Sequence, residues 1–450
     1  MLSREENEIL TRVGPDTPMG RAMRRYWLPI AASRQLPGPD CDPLRTQLLG
    51  ENFVVFRDSS GKVGVIDEFC VHRRASLALG RVENGGIRCL LHGWKFAVDG
   101  TVLESPNCDP SMRIKVRQPA WPAVEDGGFV WTYIGPAEKR PPFQRYRFFD
   151  SPEENCVILR INTGANYLQL YEGGTDSSHV GVLHMNMMNP GWKVGAFAGG
   201  DTANENDSTK VGEKAGAMSE KSTMYVGDSI FDANVELHME DTDYGYHYAA
   251  FRKAAPADDG RKRWNVRITP VMFPTGRIIP AHAFDFYVFE VPMRDDLTAT
   301  YLVFDAPGPL DRQEIVDTMG LADPRFWNDT DCNFRASWDD RLGQDRRHLD
   351  RNFSGFTGIE QEDAVIAVSM GPIVDRSKEY LVPSDGAVIR LRKRLLESVR
   401  LNEAGGDPLG LSITDYSTVR ARAETVLTEG ERWQDLVPGN TAGPVRVAAE

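Results

Sequence analysis

The sequence has few of the features that mark membrane-bound, secreted or nucleic-acid-binding proteins. None of the apolar runs in its 450 residues is long enough to span a bilayer, and the N-terminal MLSREENEIL lacks the basic-then-apolar pattern of a signal peptide. The formal net charge of −13 disfavours nucleic acid as a partner, because phosphate binding requires a positive face. We therefore expect a cytoplasmic globular protein that contacts neither a membrane nor nucleic acid.

Cysteine and histidine are scarce, which makes their positions informative. Six cysteines do not form a disulfide scaffold in a chain of this length, and there are eight histidines. Two of the cysteines and four of the histidines nevertheless fall into two short motifs. The pattern predicts two metal sites rather than a scattered set of buried side chains.

The hydrophobic pattern changes along the chain and predicts an α+β protein with distinct segments. Residues 1–25 are predicted to be helical, and residues 26–145 to form a small all-β domain of short strands and turns. Residues 146–434 carry long alternating strands rich in aromatic residues, which are typical of an antiparallel sheet, together with covering helices. A flexible tail is expected over 435–450, and the Gly/Ala-rich stretch 195–222 is expected to be a long loop.

The first motif has the form C-x-H-x16-C-x2-H and consists of Cys70, His72, Cys89 and His92. Two cysteines and two histidines could hold a tetrahedral zinc ion. Zinc fingers, however, place both cysteines in one knuckle, whereas here each knuckle contributes one Cys and one His. That arrangement suits a [2Fe–2S] cluster of the Rieske type, in which one iron takes two thiolates and the other takes two imidazoles. Zinc remains the alternative.

The residues that follow the second knuckle favour a cluster. Gly93 permits a tight turn whose backbone N–H groups face the sulfides, while Trp94 and Phe96 supply aromatic shielding. Core packing alone would also explain the two aromatic residues.

The second motif lies in NYLQLYEGGTDSSHVGVLH, which contains His179 and His184. On an ideal helix these two residues would lie roughly 140° apart, so the helix must end or distort between them if both bind one ion. Two histidines and one carboxylate form the facial triad that leaves open positions on Fe(II) for oxygen. The helical segment GIEQEDAVIAVSM offers Glu360, Glu362 and Asp363 as the third ligand, and spacing alone does not choose among them.

On these motifs the sequence resembles the Rieske non-haem iron oxygenases, and in particular their phthalate dioxygenase-like branch. The stretches EENEILTRVGPDTPMGRAMRRYWLPI, DEFCVHRRASLALGR and CLLHGWKF are similar to the N-terminus and cluster loops of that branch. The resemblance runs from residue 5 to about 400, and it departs from the common pattern at Val71, where Pro is usual, and Leu91, where Tyr is usual. It implies a helix-grip, Bet v 1-like catalytic domain beside the Rieske domain.

The resemblance also assigns roles to individual residues. It implies that Asp363 is the third iron ligand, and that Asp176 links the mononuclear iron of one subunit to a Rieske histidine of its neighbour. Such a link requires a ring of subunits, so a homotrimer or a hexamer of stacked trimers is implied. Glu172 stands where many relatives have Asn, and its role is open.

The implied function is that of a terminal oxygenase component, a Rieske-type oxygenase that uses O2 to hydroxylate or dihydroxylate an aromatic compound. The chain has no convincing dinucleotide fingerprint, since GAFAGG at 195–200 lacks the strand–helix frame. Electrons must then come from a separate NAD(P)H-dependent reductase, of the flavin and ferredoxin type by resemblance. Oxidative O-demethylation of aryl methyl ethers is an alternative reaction. A non-catalytic electron-transfer Rieske protein and a zinc-stabilised binding module are alternatives of other classes.

An aromatic carboxylate, such as a phthalate or a benzoate, is the substrate class that the resemblance favours. An arginine is the best partner for a carboxylate in a pocket. The arginines on or near predicted strands are Arg160, Arg252, Arg267 and Arg277. The segment DYGYHYAAFRK is predicted to line or back the pocket, which makes His247 and Arg252 the candidate substrate contacts.

Overall fold

The computed structural model describes residues 1–109, 111–112, 114–185, 234–442 and 445–446. The expected loop at 195–222 and the GAFAGG stretch lie outside the described residues. The chain divides into a small unit, which comprises Arg12–Gln144 and Val291–Asp295, and a large unit, which comprises Met1–Thr11, Arg145–Glu290 and Asp296–Glu450.

The first helix, α1 (Arg4–Thr11), belongs to the large unit rather than to a separate N-terminal segment. Tyr167 donates its hydroxyl hydrogen to the carbonyl of Leu10, and the side-chain amide of Asn166 donates to the carbonyl of Thr11. Because both donors are fully buried, these bonds hold the end of α1 firmly in the large unit.

The small unit is built from short strands in three antiparallel sheets, preceded by helix α2 (Pro18–Met23). The sheet orders are β1-β11-β10, β2-β3-β4-β9 and β5-β6-β7-β8. The strands are β1 (Leu28–Ala32), β2 (Leu44–Leu48), β3 (Glu51–Arg57), β4 (Val63–Asp67), β5 (Arg81–Glu83), β6 (Gly86–Arg88), β7 (Lys95–Phe96), β8 (Val102–Glu104), β9 (Ala120–Trp121), β10 (Ala123–Asp126) and β11 (Phe129–Thr132).

The core of the small unit lies between the β3–β4 hairpin and the strands that follow it. Val54, Phe56 and Ile66 of the hairpin pack in one buried cluster with Cys70 and Cys89. The two cysteines of the first motif are therefore anchored by the hydrophobic core itself.

The large unit contains one extended antiparallel sheet in the order β12-β18-β17-β16-β15-β14-β13, with β20 also paired to β15. A separate pair is formed by β19 and β21. The strands are β12 (Cys156–Thr163), β13 (Glu236–Thr242), β14 (Gly245–Ala254), β15 (Arg263–Met272), β16 (Gly276–Ile279), β17 (Asp285–Arg294), β18 (Leu297–Asp305), β19 (Ile413–Asp415), β20 (Arg422–Thr428) and β21 (Val445–Arg446).

Helices cover this sheet, which confirms the predicted α+β class. They are α3 (Tyr167–Gly173), α4 (Val180–Leu183), α5 (Arg312–Thr318), α6 (Ile359–Ser369), α7 (Gly386–Glu403) and α8 (Pro438–Ala442). Apolar side chains of β12, β17 and β18 pack with residues of α5 and α6 in one hydrophobic cluster. This layer joins the sheet to the helix that carries the candidate third ligand.

The long helix α7 packs on β13 and β14. Its apolar residues recur every three or four positions and form one buried stripe. Val388, Leu391, Leu395 and Val399 are all buried. The helix begins at Gly386, with Asp385 as its N-cap residue. No helix among the residues described above is long and apolar enough to cross a membrane.

The C-terminal segment is packed over part of the range predicted to be a flexible tail. The side chain of Asn440 in α8 is buried, accepts a hydrogen bond from the backbone N–H of Arg420 and donates one to its carbonyl. Ordered packing therefore extends beyond residue 435, because this short helix completes backbone hydrogen bonds of a neighbouring loop.

Candidate metal centres

The first loop of the cysteine–histidine motif runs from Cys70 to Ala75, directly after β4. The backbone N–H of Cys70 donates to the carbonyl of Ala75 across the loop. Gln118 fixes the loop from the side, because its amide donates to the carbonyls of Asp67 and Phe69. Its amide oxygen accepts the N–H of Val71 at 2.7 Å. A proline at this position has no N–H, so Val71 adds a bond that the usual residue lacks.

The second loop runs from Cys89 to Trp94 and connects β6 to β7. The N–H of Cys89 donates to the carbonyl of Trp94, and Gly93 has a φ of +75°, a conformation that favours glycine. Arg88 donates to the carbonyl of Gly93 at 2.8 Å. These bonds fix the loop on both sides of His92.

The four side chains meet in pairs of like type. The Cys89 thiol lies beside Cys70, and burial raises the pKa of the Cys70 thiol, with Cys89 acting in the same direction. The rings of His72 and His92 lie 4.6 Å apart between centroids, and Trp94 stacks on His72 at 4.8 Å. Nδ1 of His92 is buried and has no hydrogen-bond partner in the described part of the chain, which leaves it available to a metal.

This pairing fits a two-iron cluster better than a single zinc ion. A tetrahedral ion needs all four ligand atoms close together. Two thiols on one side and two imidazoles on the other suit two bridged irons.

The second motif places its histidines at the two ends of a very short helix. Helix α3 ends at Gly173, and α4 has only four residues, with His179 at its N-cap and His184 at its C-cap. The predicted break in the helix is therefore present. It lets both rings turn toward the same point, which a continuous helix would prevent.

Asp363 of α6 completes a trio with these histidines. Its Oδ1 lies 3.6 Å from Nε2 of His179 and 3.4 Å from Nε2 of His184. One ligand atom from each residue falls within 4.8 Å of the others, a donor set that suits a divalent transition metal. The rings of the two histidines lie 5.2 Å apart.

A second carboxylate orients His184. Oε2 of Glu362 lies 2.7 Å from Nδ1 of His184, and Oε1 accepts the hydroxyl of Ser354 at 2.5 Å. Burial alone would lower the pKa of His184, but Asp363 and Glu362 outweigh it and raise that pKa to about 10. A metal ion bound to His184 would replace one of its ring protons, because histidine binds a metal through a deprotonated ring nitrogen.

Asp176 lies at the edge of the same site. One carboxylate oxygen accepts the N–H of Ser178 at 2.7 Å, and the other lies 3.7 Å from Nδ1 of His179. Its side chain is 24 % exposed and lines the cavity beside His179. That position is compatible with the linking role that the resemblance implies.

The trio opens onto a cavity whose other walls are mainly apolar. The lining includes Ile279, Phe286, Val288, Leu302 and Met319. It also includes polar side chains that could orient a ligand, which are Tyr248, Arg267, Thr269, Arg277 and Glu360. An apolar cavity with a few polar groups beside a metal site suits a small organic substrate.

His247 and Arg252, the predicted substrate contacts, are not among the residues that line this cavity. His247 stands on the face of β14 opposite to Tyr248, where it lies 3.3 Å from Glu240 and contacts the ring of Trp433 at a tilted angle. Arg252 is buried behind the cavity wall and donates to the carbonyl of Ser177 at 2.7 Å. Their roles as substrate contacts remain predictions that the geometry does not favour.

Arg277, one of the four candidate arginines, has spare donors at the cavity. Its Nη2 donates to Glu290 at 2.8 Å, whereas Nε and Nη1 have no hydrogen-bond partner among the described residues although they are buried. The guanidinium lies against the backbone of Gly174, where a Cβ atom would stand 2.0 Å from Nε. Gly174 thus makes room for Arg277.

Glu172, whose role the sequence leaves open, does not face the cavity. It forms a buried ion cluster with Arg376 and Arg392, at 2.8 Å and 2.6 Å from Nε of each, and Arg392 also pairs with Glu379. Burial alone would raise the pKa of Glu172, but the two arginines lower it. A carboxylate here rather than an amide balances two buried cations.

Two family models match the sequence. The Rieske [2Fe–2S] domain matches residues 26–122, and the family described as LigXa C-terminal domain like matches residues 132–225 and 206–441.

Similarity to individual proteins extends over nearly the whole chain. The sequence is 34 % identical to the phthalate 4,5-dioxygenase oxygenase subunit of Pseudomonas putida, over 97 % of this chain and 94 % of that protein. It is 32 % identical to the 3-chlorobenzoate-3,4-dioxygenase oxygenase subunit of Comamonas testosteroni, over 93 % and 94 % respectively. The crystal structure of dicamba monooxygenase bound to dicamba shares the fold, with a TM-score of 0.54 at 15 % identity, over 85 % of this chain and 99 % of that one.

Proposed function

The chain belongs to the Rieske oxygenases as an oxygenase subunit, and from this premise we propose that it oxidises an aromatic carboxylate of the benzoate or phthalate class. It is an enzyme with a Rieske [2Fe–2S] cluster and a mononuclear iron, and it uses O2. The electron-transfer and zinc-binding alternatives are therefore set aside. Its electrons come, in this proposal, from a separate NAD(P)H-dependent reductase.

We assign the cluster to Cys70, His72, Cys89 and His92, and the mononuclear iron to His179, His184 and Asp363. When bound, the cluster would supply single electrons and the ferrous ion would supply oxygen activation. The protein contributes orientation: Glu362 holds the ring of His184 through Nδ1, so that Nε2 faces Asp363. The apolar cavity walls exclude water from the place where the substrate binds.

The observation that carries the substrate class is a buried guanidinium in the same cavity as the iron ligands. Arg277 is 6 % exposed and has two buried N–H donors without a partner among the described residues, which is a costly state for a charged group. A substrate carboxylate would satisfy these donors with charge-assisted hydrogen bonds. The apolar side chains beside it suit the aromatic ring. Arg267 is a second arginine at the cavity wall.

Asp176 is proposed to link this site to a Rieske histidine of a neighbouring subunit, in a homotrimer or a hexamer of stacked trimers. A carboxylate that accepts N–H bonds from two metal-bound imidazoles would fix both rings and shorten the electron path. Its partial exposure and its proximity to Nδ1 of His179 support this role.

The substrate assignment is tested with the purified oxygenase, a surrogate reductase and a panel of benzoate, phthalates, chlorobenzoates and methoxybenzoates. We expect product from at least one carboxylate, and we expect Arg277→Gln to raise KM for it by at least about tenfold, the effect of one charge-assisted contact. Arg160→Gln serves as the matched control, because Arg160 is buried on the same sheet but does not line the cavity.

Three outcomes separate the alternatives. Hydroxylated or dihydroxylated products support the proposal. Formaldehyde from methoxybenzoates alone would identify an O-demethylase instead. No product from any carboxylate of the panel, or an unchanged KM in Arg277→Gln, would contradict the substrate class.

A further inference from the structure

Helix α6 directs a second acidic side chain into the cavity. Glu360 lies one turn before Asp363, so the two share a face of the helix, and both line the cavity. Glu360 is 7 % exposed, yet its carboxyl group has no hydrogen-bond or ion-pair partner in the part of the chain that the structure describes. The carboxyl group instead faces the space of the cavity, where a bound ligand would meet it.

The position of Glu360 in the first turn of α6 does not explain why its carboxyl group lacks a partner. Acidic residues are favourable near a helix N-terminus. Here, however, the neighbouring Gln361 makes the local contact, since it accepts both the N–H and the hydroxyl hydrogen of Thr357. Glu362 is engaged by His184 and Ser354. Of the three consecutive side chains, the one that faces the cavity is the one left without a partner.

The surroundings of Glu360 determine what it can bind. Burial raises the pKa of Glu360 well above its ordinary value, with Asp363 and Glu290 acting in the same direction and Arg277 against it. A carboxyl group accepts a hydrogen bond from a hydroxyl or amino group in either protonation state, and it also donates one when it is protonated. An apolar substituent would leave it unsatisfied.

We propose that Glu360 is a specificity-determining residue that hydrogen-bonds a hydroxyl or amino substituent on the ring of the substrate. The inference rests on the proposed function in taking this cavity as the substrate site, and it narrows the substrate to hydroxy- or amino-substituted aromatic carboxylates. The carboxylate is held by Arg277 and the second substituent by Glu360. A ring that carries both groups satisfies the two buried side chains at once.

The test is equilibrium binding to the anaerobic holoenzyme, measured by isothermal titration calorimetry, so that turnover is not the readout. Two pairs of probes are compared, and the members of each pair differ only in a hydroxyl group against a methyl group. The first pair, 3-hydroxybenzoate and 3-methylbenzoate, carries a carboxylate. The second pair, 3-methylphenol and 1,3-dimethylbenzene, does not. We expect the hydroxyl member of each pair to bind about tenfold more tightly, as for one buried hydrogen bond.

Two variants complete the test. Glu360→Met should abolish the preference for the hydroxyl member and should bind 3-methylbenzoate at least as tightly as the wild type does, because no carboxyl group is then left unsatisfied. Glu360→Gln keeps donor and acceptor atoms and should retain most of the preference. Circular dichroism and retained iron binding at the mononuclear site report that the large unit folds in both variants.

Failure of the role proposed for Glu360 and failure of the proposed function would give different results. Equal affinities within both pairs, binding of none of the four probes, or a preference that survives Glu360→Met would overturn the role of Glu360. The wild type could instead bind neither carboxylate probe and still prefer 3-methylphenol over 1,3-dimethylbenzene in a way that depends on Glu360. That result would overturn the proposed function and leave the role of Glu360 intact.

Discussion

The two candidate metal centres are built in opposite ways. In the small unit, all four ligands come from two loops within 23 residues of sequence. Two exposed leucines directly precede His92, with Leu90 61 % and Leu91 52 % exposed. In the large unit, the ligands come from two helical segments far apart in the chain, and His184 is 2 % exposed. An electron relay must be approached by a donor, whereas oxygen chemistry needs a site that excludes water.

The largest expected effect separates the two centres completely. His179→Ala should abolish product formation, by at least about a thousandfold, while the visible absorption of the cluster persists, because an iron with one histidine fewer is not held. His92→Ala should do the reverse, losing the cluster absorption while the mononuclear site still binds added iron. Iron and sulfide analysis with absorption spectroscopy measures both. If His179→Ala retained turnover, the assignment of His179 to the mononuclear iron would be wrong.

The ion cluster of Glu172 should stabilise the large unit alone. Glu172→Gln leaves two buried arginines without their shared carboxylate, and we expect the free energy of unfolding to fall by about 3 to 5 kcal/mol at pH 7. Glu397→Gln, which removes a half-exposed partner of Arg394, should cost less than about 1 kcal/mol. Chemical denaturation followed by circular dichroism compares the two variants.

The same cluster gives a pH dependence. Because the arginines lower the pKa of Glu172 below its unfolded value of 4.5, its stabilising contribution is present above that pH and is lost as the pH falls through the lowered pKa. The difference between wild type and Glu172→Gln should therefore shrink in acid. A difference that grows below pH 4.5 would contradict the lowered pKa.

Glu362 offers a finer way to perturb the large unit. Glu362→Gln weakens the hydrogen bond that orients His184, so iron affinity should fall about 10- to 100-fold while the cluster is unchanged. Glu314→Gln, at an exposed position of α5, is the control. Competition for iron with a chelator measures the affinity, and equal values for the two variants would exclude an orienting role.

The smallest expected effect concerns communication between the centres. Asp176→Asn should leave both metals bound and slow electron delivery about tenfold, because the amide cannot accept two N–H bonds with full charge. Rapid-mixing single-turnover measurements, with Asp317→Asn on the surface of α5 as control, report the rate. An unchanged rate would argue against the link.

The sequence predicts the first centre more completely than the second because of this difference in construction. Both knuckles of the small unit are local motifs, so ligand types and spacing suffice. In the large unit, the motif contains His179 and His184, but Glu362 and Asp363 point about 100° apart on one helix. Only the packing of α6 decides that Asp363 faces both histidines while Glu362 supports one of them from behind.

The substrate side of the cavity is the least predictable from sequence. Strand alternation places His247 and Tyr248 on opposite faces of β14, but nearly the whole strand is buried on both faces. No change from apolar to polar residues therefore indicates which face borders the cavity. Arg267 and Arg277 are indistinguishable from Arg160 and Arg252 for the same reason, because all four are buried.

The four-residue helix α4 acts as a fixed spacer between two imidazoles. Each residue of a helix turns its successor by about 100°, so inserting or deleting one residue here would swing His184 away from Asp363 by more than a quarter of a circle. Natural variation among related chains should accordingly change the composition of this spacer freely but hold its length constant.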